Sequence, residues 1–445
     1  MIDQALYQII SLDLPAVLCA LFACMACALL GNFLVLRKIS LMGDAISHAV
    51  LPGIVISFLL SGSRGGVAVF IGAAIAGIVT TVLVELVRSF GRLDSGAAMG
   101  VVFSIMFAMG VLLIEQAAAR NVDLDADCLL HGQLETIFWY PPNEWAQLFS
   151  LAAFRLLPSE VLASAAVLIA SIAFVVLFYK ELTLAAFDSA LATSLGINAK
   201  FLHYALMVVV AGAVVASFEA VGSILVIAMI ICPAATARFY TDKLKVQIAL
   251  SQVFACLAVI CGYILGGFGP LWLGYDNAIN AGGMMTVVAG LLLFTSALVA
   301  PEYGIISRQL RRLALSTKVY REDFLAALFR AEEKNLGGLQ KESMFENLGK
   351  NLVSRAAFRK LLSEKLIEIK DNMIRLSEKG KTEAQALVRS HRLWESFLVD
   401  KAGIQADHVH SSAEKLEHFT QSELGQKLAE EQSYSQSDPH GKKIP

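Results

Sequence analysis

Residues 301–318 read PEYGIISRQLRRLALSTK, and this stretch separates two physically different parts of the chain. It carries Arg308, Arg311, Arg312 and Lys318, with no acid after Glu302. Residues 1–315 hold 15 Lys/Arg and 18 Asp/Glu, whereas the 130 residues that follow hold 21 and 20. The first part is poor in charge as a membrane domain must be, because each charge at a bilayer centre costs roughly 2.5–3.5 kcal/mol on insertion scales. The second part has the charge density of a water-soluble domain. The net charge of −2 conceals this asymmetry, and the mean hydropathy of +0.63 is too high for an ordinary soluble protein. The basic stretch itself reads as a segment at the anionic inner leaflet, as a topology determinant, or as both.

A spanning helix needs about 20 apolar residues. Nine stretches qualify, at about 15–36, 45–61, 66–88, 97–116, 159–179, 201–217, 220–237, 247–267 and 279–299. Two are short, and 201–237 also reads as one broken helix. Lys and Arg gather at 37–38, 88–92, 180–200, 238–245 and 308–312, which marks those loops as cytoplasmic. The opposite loops carry Asp123, Asp125, Asp127, Glu135, Glu144 and Asp276. Nine crossings then predict an external N-terminus and a cytosolic tail. The first 14 residues lack a basic n-region, so no cleavable signal peptide is expected.

All seven cysteines precede residue 262. Cys24 and Cys27 form a C-x-x-C inside an apolar stretch, where small packing residues are the more economical reading than a redox pair. A tail without cysteine has no disulfide framework and no thiolate zinc site, which fits a reducing cytosol. No G-x-x-x-x-G-K-[ST] loop is present, so the chain offers no phosphate cradle. No nucleophile–base constellation suggests an enzyme.

In GDAISHAVLPG (43–53), Asp44 and His48 stand four apart, on one face of a helix. A carboxylate with an imidazole suits Mn²⁺, Fe²⁺ or Zn²⁺, and ionisable groups in a span usually face a bundle interior or an aqueous path. The alternative makes Asp44 an N-cap and His48 a packing residue. Glu219, isolated between two apolar runs, either lines the path or sits at the outer interface. Asp123, Asp125 and Asp127 with His131 read either as a solvated loop or as a cation-attracting mouth.

Three segments together carry a resemblance: GNFLVLRKISLMGDAISHAVLPGI (31–54), KELTLAAFDSALATSLGI (180–197) and EAVGSILVIAMIICPAATARF (219–239). They resemble, in order and spacing, the ABC importer permeases for manganese, zinc and iron. The resemblance covers about 1–305 and implies an all-α polytopic membrane domain in a bacterial inner membrane. It implies a second permease subunit, a separate ATPase dimer docking on the coupling segment (Phe187, Asp188, Leu191, Gly196), and an extracytoplasmic solute-binding protein. It also implies that Asp44 and His48 are the metal stop in the path. His131 departs from the family pattern, where an apolar residue is expected.

The tail reads as helices at about 318–334, 340–348 and 352–365, short strands at 366–370 and 373–376, then helices at about 378–401 and 407–430. That is the outline of a winged helix-turn-helix (318–380), joined by a linker (306–317) and followed by a helical module (381–445). His410, Glu414, Glu417 and His418 share one helix face, and His391 and Glu395 form an i, i+4 pair on the helix before. Imidazole and carboxylate ligands without cysteine suit Mn²⁺ or Fe²⁺ better than structural zinc. Six such residues on two adjacent helices weigh against a merely solvated face.

RSHRLWESFLVDKAGI (389–404), HVHSSAEKLEHFTQSEL (408–424) and SDPHGKKIP (437–445) resemble the metal-dependent repressors of the diphtheria-toxin-repressor and manganese-regulator type. The resemblance implies dimerisation and two partly overlapping metal sites built from His391, Glu395, His410, Glu414, Glu417 and His418. Two further acids expected on the first helix would fall on Val319 and Glu322, so one ligand is missing. In VSRAAFRKLLSEKLIE (353–368), Arg355, Arg359, Lys360 and Lys365 are candidate DNA contacts, although the tail is nearly neutral where DNA binders show a basic stripe. Three readings follow: a metal permease with a sensing tail that tunes transport, a membrane-tethered or proteolytically released regulator, and a permease with a structural tail.

Overall fold

The computed structural model describes residues 7, 9–39, 41–61, 67–118, 132, 134–140, 156–272, 274, 279–370, 372–418, 420, 427–428 and 437–445. Asp123, Asp125, Asp127, His131, Glu144 and Asp276 lie outside the described residues. The chain divides into two compact units, Met1–Ser307 and Arg308–Pro445.

The first unit is helical throughout its described residues. After a π-type turn at Ile9–Asp13 come α1 (Leu14–Leu36), α2 (Leu41–Ala49), α3 (Leu51–Ser61), α4 (Val67–Gly91), α5 (Ser95–Ala118) and α6 (Ser159–Leu177). Two short helices follow, α7 (Tyr179–Phe187) and α8 (Ser189–Ser194), then α9 (Ala199–Val221), α10 (Ser223–Arg238), α11 (Leu244–Trp272) and α12 (Ala281–Val299). Among the described residues, seven helices are long and apolar enough to cross a membrane. The two remaining expected spans are built from shorter pieces. The first breaks at Val50 into α2 and α3. The second is α10, 16 residues long and parted from α9 by Gly222 at φ 82°, a left-handed conformation that glycine adopts without strain.

Helix α1 sits at the centre, packed against α6, α9, α10 and α11. It is apolar on all sides, as a buried membrane helix should be. Small residues set its spacing: a Cβ on Gly31 would overlap the carbonyl oxygen of Ile230 on α10. The polar exceptions are paired. Asn32 Nδ2 donates to Ser251 Oγ at 2.7 Å, and Gln247 Nε2 donates to Asn32 Oδ1 at 3.1 Å, joining α1 to α11 where no water competes.

The second unit begins within α13 (Ile305–Glu333), which starts well before the expected 318 because no breaker interrupts 305–318. Then come β1 (Leu339–Gln340), α14 (Lys341–Leu348), α15 (Leu352–Ser363), β2 (Ile367–Lys370), β3 (Met373–Leu376), α16 (Glu378–Asp400) and α17 (His410–Glu417). The strands form an antiparallel sheet in the order β1-β3-β2, with Ile367 opposite Leu376 and Lys370 opposite Met373. Asn351 caps α15 in a reciprocal box with Ser354. Phe324, Phe345 and Phe358 meet edge-on, with ring centroids 5.4–6.0 Å apart, and form the heart of this unit's own core.

Gly31→Ala is expected to lose the folded membrane unit, because backbone must move to admit the methyl. Gly100→Ala, with nothing within 4 Å of its added Cβ, is expected to be neutral or stabilising by up to about 1 kcal/mol. Monodisperse yield and thermal stability in detergent separate the two.

Candidate metal centre

Three helices, α13, α16 and α17, assemble the tail's cluster. Ser377 caps α16 by accepting from the Gly380 amide at 3.0 Å, and a Cβ on Gly380 would overlap the Leu366 carbonyl, so the helix start is pinned against the sheet unit. One helix turn apart, His391 and Glu395 then fall on its buried face, 3% and 2% exposed. Helix α17 turns Val409, Ala413 and Glu417 inward, and His418 follows as its buried C-cap residue.

Two groups of ligand-type atoms result. In the first, His391 Nε2 lies 3.1 Å from Glu395 Oε1 and 3.1 Å from His410 Nδ1, and His410 Nδ1 lies 2.8 Å from Glu395 Oε1. In the second, His418 Nε2 lies 3.3 Å from Asp323 Oδ1 and 3.9 Å from Glu417 Oε1, and His418 Nδ1 lies 2.7 Å from Glu322 Oε2. Asp323, Glu417 and His418 each offer one ligand atom within 4.8 Å of the others, as do His391, Glu395 and His410. The groups touch through His391 Nδ1 and Glu417 Oε2, 2.6 Å apart. Neither of those atoms has a hydrogen bond of acceptable geometry, although both are buried. Two buried ligand-type atoms that converge among further imidazoles and carboxylates suit a divalent cation. Around this centre, Trp394 Nε1 donates to Thr420 Oγ1 at 2.7 Å, which ties α16 to the segment beyond α17.

Of the residues expected from the sequence, His391, Glu395, His410, Glu417, His418 and Glu322 come together. Glu414 does not. The inward stripe of α17 is Val409, Ala413 and Glu417, one position out of phase with 410, 414 and 418, so Glu414 is exposed and His410 stays half-open at the rim. Asp323 was missed. It stands next to Glu322 in sequence, while the expected position, Val319, lies a full turn away on α13. The clue was the adjacent pair of acids, Glu322 and Asp323, that ends an acid-free run from residue 303 to 321.

The centre's charges sustain one another. Burial alone would depress His391, but the hydrogen bond to Glu395 and the Glu417 carboxylate 2.6 Å away push it up to about 9. Burial likewise opposes the charge on His418, yet Asp323 and Glu322 push it up to about 10. Burial would raise Glu395, whereas His391 and His410 hold it down at about 2. The residues would hold a metal as neutral imidazoles and carboxylates, so a cation must displace these protons.

In the membrane unit, Asp44 and His48 lie one turn apart on α2, and Glu219 lies near the end of α9; their side chains are outside the described set. Helix α2 contacts α4, α5, α9 and α10, and its Ala45, Ile46 and Ala49 are buried, so it is an interior element of the bundle. The coupling candidates sit at a kink. Asp188 Oδ1 accepts from the Ala190 and Leu191 amides at 3.0 and 2.9 Å and caps α8. Gly196, at φ 85°, closes the turn after α8. Phe187, Leu191 and Leu195 leave an apolar ridge exposed. The candidate DNA contacts are exposed. Arg355 and Arg359 line a cavity of about 510 Å³ with Lys341, Lys350, Phe345 and Phe358, whereas Lys360 and Lys365 do not.

Comparison with known proteins agrees with this division. The ABC 3 transport family matches residues 10–140 and 145–300. The iron dependent repressor, metal binding and dimerisation domain matches residues 377–445. The manganese transport system membrane protein MntD of Bacillus subtilis is 38% identical over 65% of this chain and 92% of its own length. MntC of the same organism is 30% identical over 90% of this chain and 87% of its own length. The zinc transport system membrane protein TroD of Treponema pallidum is 38% identical over 68% of this chain and 78% of its own. Among solved structures, PsaBC from Streptococcus pneumoniae in complex with Fab superposes with a TM-score of 0.52 at 29% identity, covering 66% of this chain and 93% of that one.

The proton count gives a test. In the metal-free protein, the stabilisation from His391 and His418 is fully present below about pH 6.5 and is lost as pH rises through about 9 to 10. That from Glu395 is present above about 4.5 and is lost as pH falls through about 2. Mn²⁺ affinity of the purified chain should therefore rise between pH 6 and 9, with proton release measurable by calorimetry in buffers of different ionisation enthalpy. An affinity independent of pH would exclude His391 and His418 as ligands.

Proposed function

We propose a function from one premise: the chain belongs to the ABC 3 transport family. It serves as the membrane-spanning permease subunit of an ABC importer for a divalent transition metal, manganese first and iron or zinc after it. The carrying observation is the metal-ligand chemistry in the tail of a chain whose membrane unit matches manganese and zinc transport proteins along most of their length. The permease lies in a bacterial inner membrane with its N-terminus outside and its tail in the cytosol. In this reading Asp44 and His48, with Glu219, contact the metal in transit from helices inside the bundle.

Energy comes from a partner. The apolar ridge of Phe187, Leu191 and Leu195, held at the capped kink around Asp188 and Gly196, suits the surface of a cytosolic ATPase dimer. A second permease subunit completes the pathway, and an extracytoplasmic solute-binding protein delivers the metal. The work of this subunit is binding, occlusion and release, which requires a site strong enough to select and weak enough to let go.

The tail is a cytosolic metal sensor, combining a winged-helix-like part (318–380) with a metal-binding and dimerisation part (381–445). His391, Glu395, His410, Asp323, Glu322, Glu417 and His418 hold the metal, which supplies a divalent charge that joins α13, α16 and α17. Those residues position the three helices, and their protonation sets when the metal is accepted. A second reading, a membrane-tethered DNA-binding regulator, draws support from the cavity lined by Lys341, Lys350, Arg355 and Arg359.

Asp44→Ala and His48→Ala are each expected to abolish metal uptake by the complete transporter while leaving membrane insertion intact, read by radioactive Mn²⁺ accumulation in cells. Uptake at the wild-type rate by both variants sinks the assignment. Glu417→Ala is expected to weaken Mn²⁺ binding to the tail by 10-fold or more, and Glu414→Ala by far less, on the order of what ligand and non-ligand positions differ by. Equal losses in equilibrium dialysis would return Glu414 to the ligand set. Metal-dependent retention of the chain on specific DNA, with no effect of the tail on transport, would favour the regulator.

A further inference from the structure

The first third of α13 is amphipathic and largely exposed. From Ile305 to Ser316 every residue is exposed except the half-buried Ser307, whereas Phe324, Leu325, Leu328 and Phe329 farther along the same helix are buried in the second unit's core. At 3.6 residues per turn, Ile306, Leu310 and Leu313 fall on one stripe, and Arg308, Arg311 and Arg312 fall on the opposite side, which they share with Ile305 and Leu315. The apolar three are 48%, 60% and 50% exposed. No acid occurs between Glu302 and Glu322. Helix α12, one of the membrane-length helices, ends at Val299, so only five residues separate it from this surface.

We propose that residues 305–315 form a binding surface for the anionic bilayer, lying along the inner leaflet with Ile306, Leu310 and Leu313 in the acyl boundary and the three arginines among acidic headgroups. A segment that starts five residues after a span is held near the interface, where an exposed apolar stripe meets lipid at high local concentration. The charge makes the surface selective. Each basic residue near a negative leaflet adds favourable energy, and three of them discriminate acidic from zwitterionic headgroups. A short amphipathic helix with three apolar anchors binds weakly without that charge, so seating depends on lipid composition and ionic strength. This surface goes beyond the transport and sensing reading, and it holds whether or not the tail binds metal.

The experiment uses the full chain in nanodiscs with a photoreactive p-benzoyl-phenylalanine in place of Leu310, and identifies adducts by mass. In discs containing phosphatidylglycerol, adducts to lipid are expected to dominate. Their yield should fall several-fold in pure phosphatidylcholine discs. The combined Arg308→Gln, Arg311→Gln and Arg312→Gln variant should show the same fall, and the corresponding Arg→Lys variant should restore the yield. Cross-links to a second copy of the chain, an absence of lipid adducts, or a yield indifferent to both lipid charge and the arginines would each overturn the proposal.

Discussion

The bilayer interior offers no water, so every backbone amide within it must be paired inside the protein and every charge there must be justified. The architecture follows from that constraint. Among the described residues it makes the regular elements of the first unit helical, keeps them poor in charge, and lets small residues such as Gly31 bring α1 and α10 into backbone contact. The few buried polar side chains must then pair, as Asn32, Ser251 and Gln247 do. The constraint lapses near residue 305, where charge density jumps and a second core, centred on three phenylalanines, forms by ordinary hydrophobic burial.

In the proposed reading the two units use similar ligand chemistry in opposite ways. In the membrane unit a carboxylate and an imidazole stand one turn apart on an interior helix, a number that would let an ion move on. In the second unit seven imidazole and carboxylate residues draw together from three helices, and His391 with Glu417 joins the two groups into one. Fewer ligands suit passage; more ligands from separate elements suit detection, because filling them changes how those elements hold together. Selection between manganese, iron and zinc then rests on ligand number and geometry, since oxygen and nitrogen donors alone accept all three.

Much of this was legible in the chain itself. Hydropathy located the seven membrane-length helices found among the described residues, because a span is a property of local composition. It marked 45–61 and 201–217 as short; the break at Val50 bears out the first, but in 201–237 the shorter piece is Ser223–Arg238, because the break falls at Gly222. In the tail, helical spacing grouped His391 with Glu395 and Glu417 with His418, residues the structure also brings together. It placed Glu414 with them, whereas the structure leaves Glu414 exposed, because spacing says which residues share a face and not which face turns inward. Val409 and Ala413 decide that for α17. Asp323 escaped notice because it approaches His418 from a helix almost a hundred residues earlier, a contact no local pattern encodes.

The bond between Trp394 and Thr420 has a practical side. Trp394 lies between His391 and Glu395 on α16, and Thr420 lies two residues past His418, so the indole is pinned to both ligand-bearing segments at once. Any change in how those segments meet must lengthen, shorten or turn that hydrogen bond and shift the local polarity around the ring. The ligand set thus carries its own optical probe, placed by the fold where a spectroscopist would have wished to engineer one.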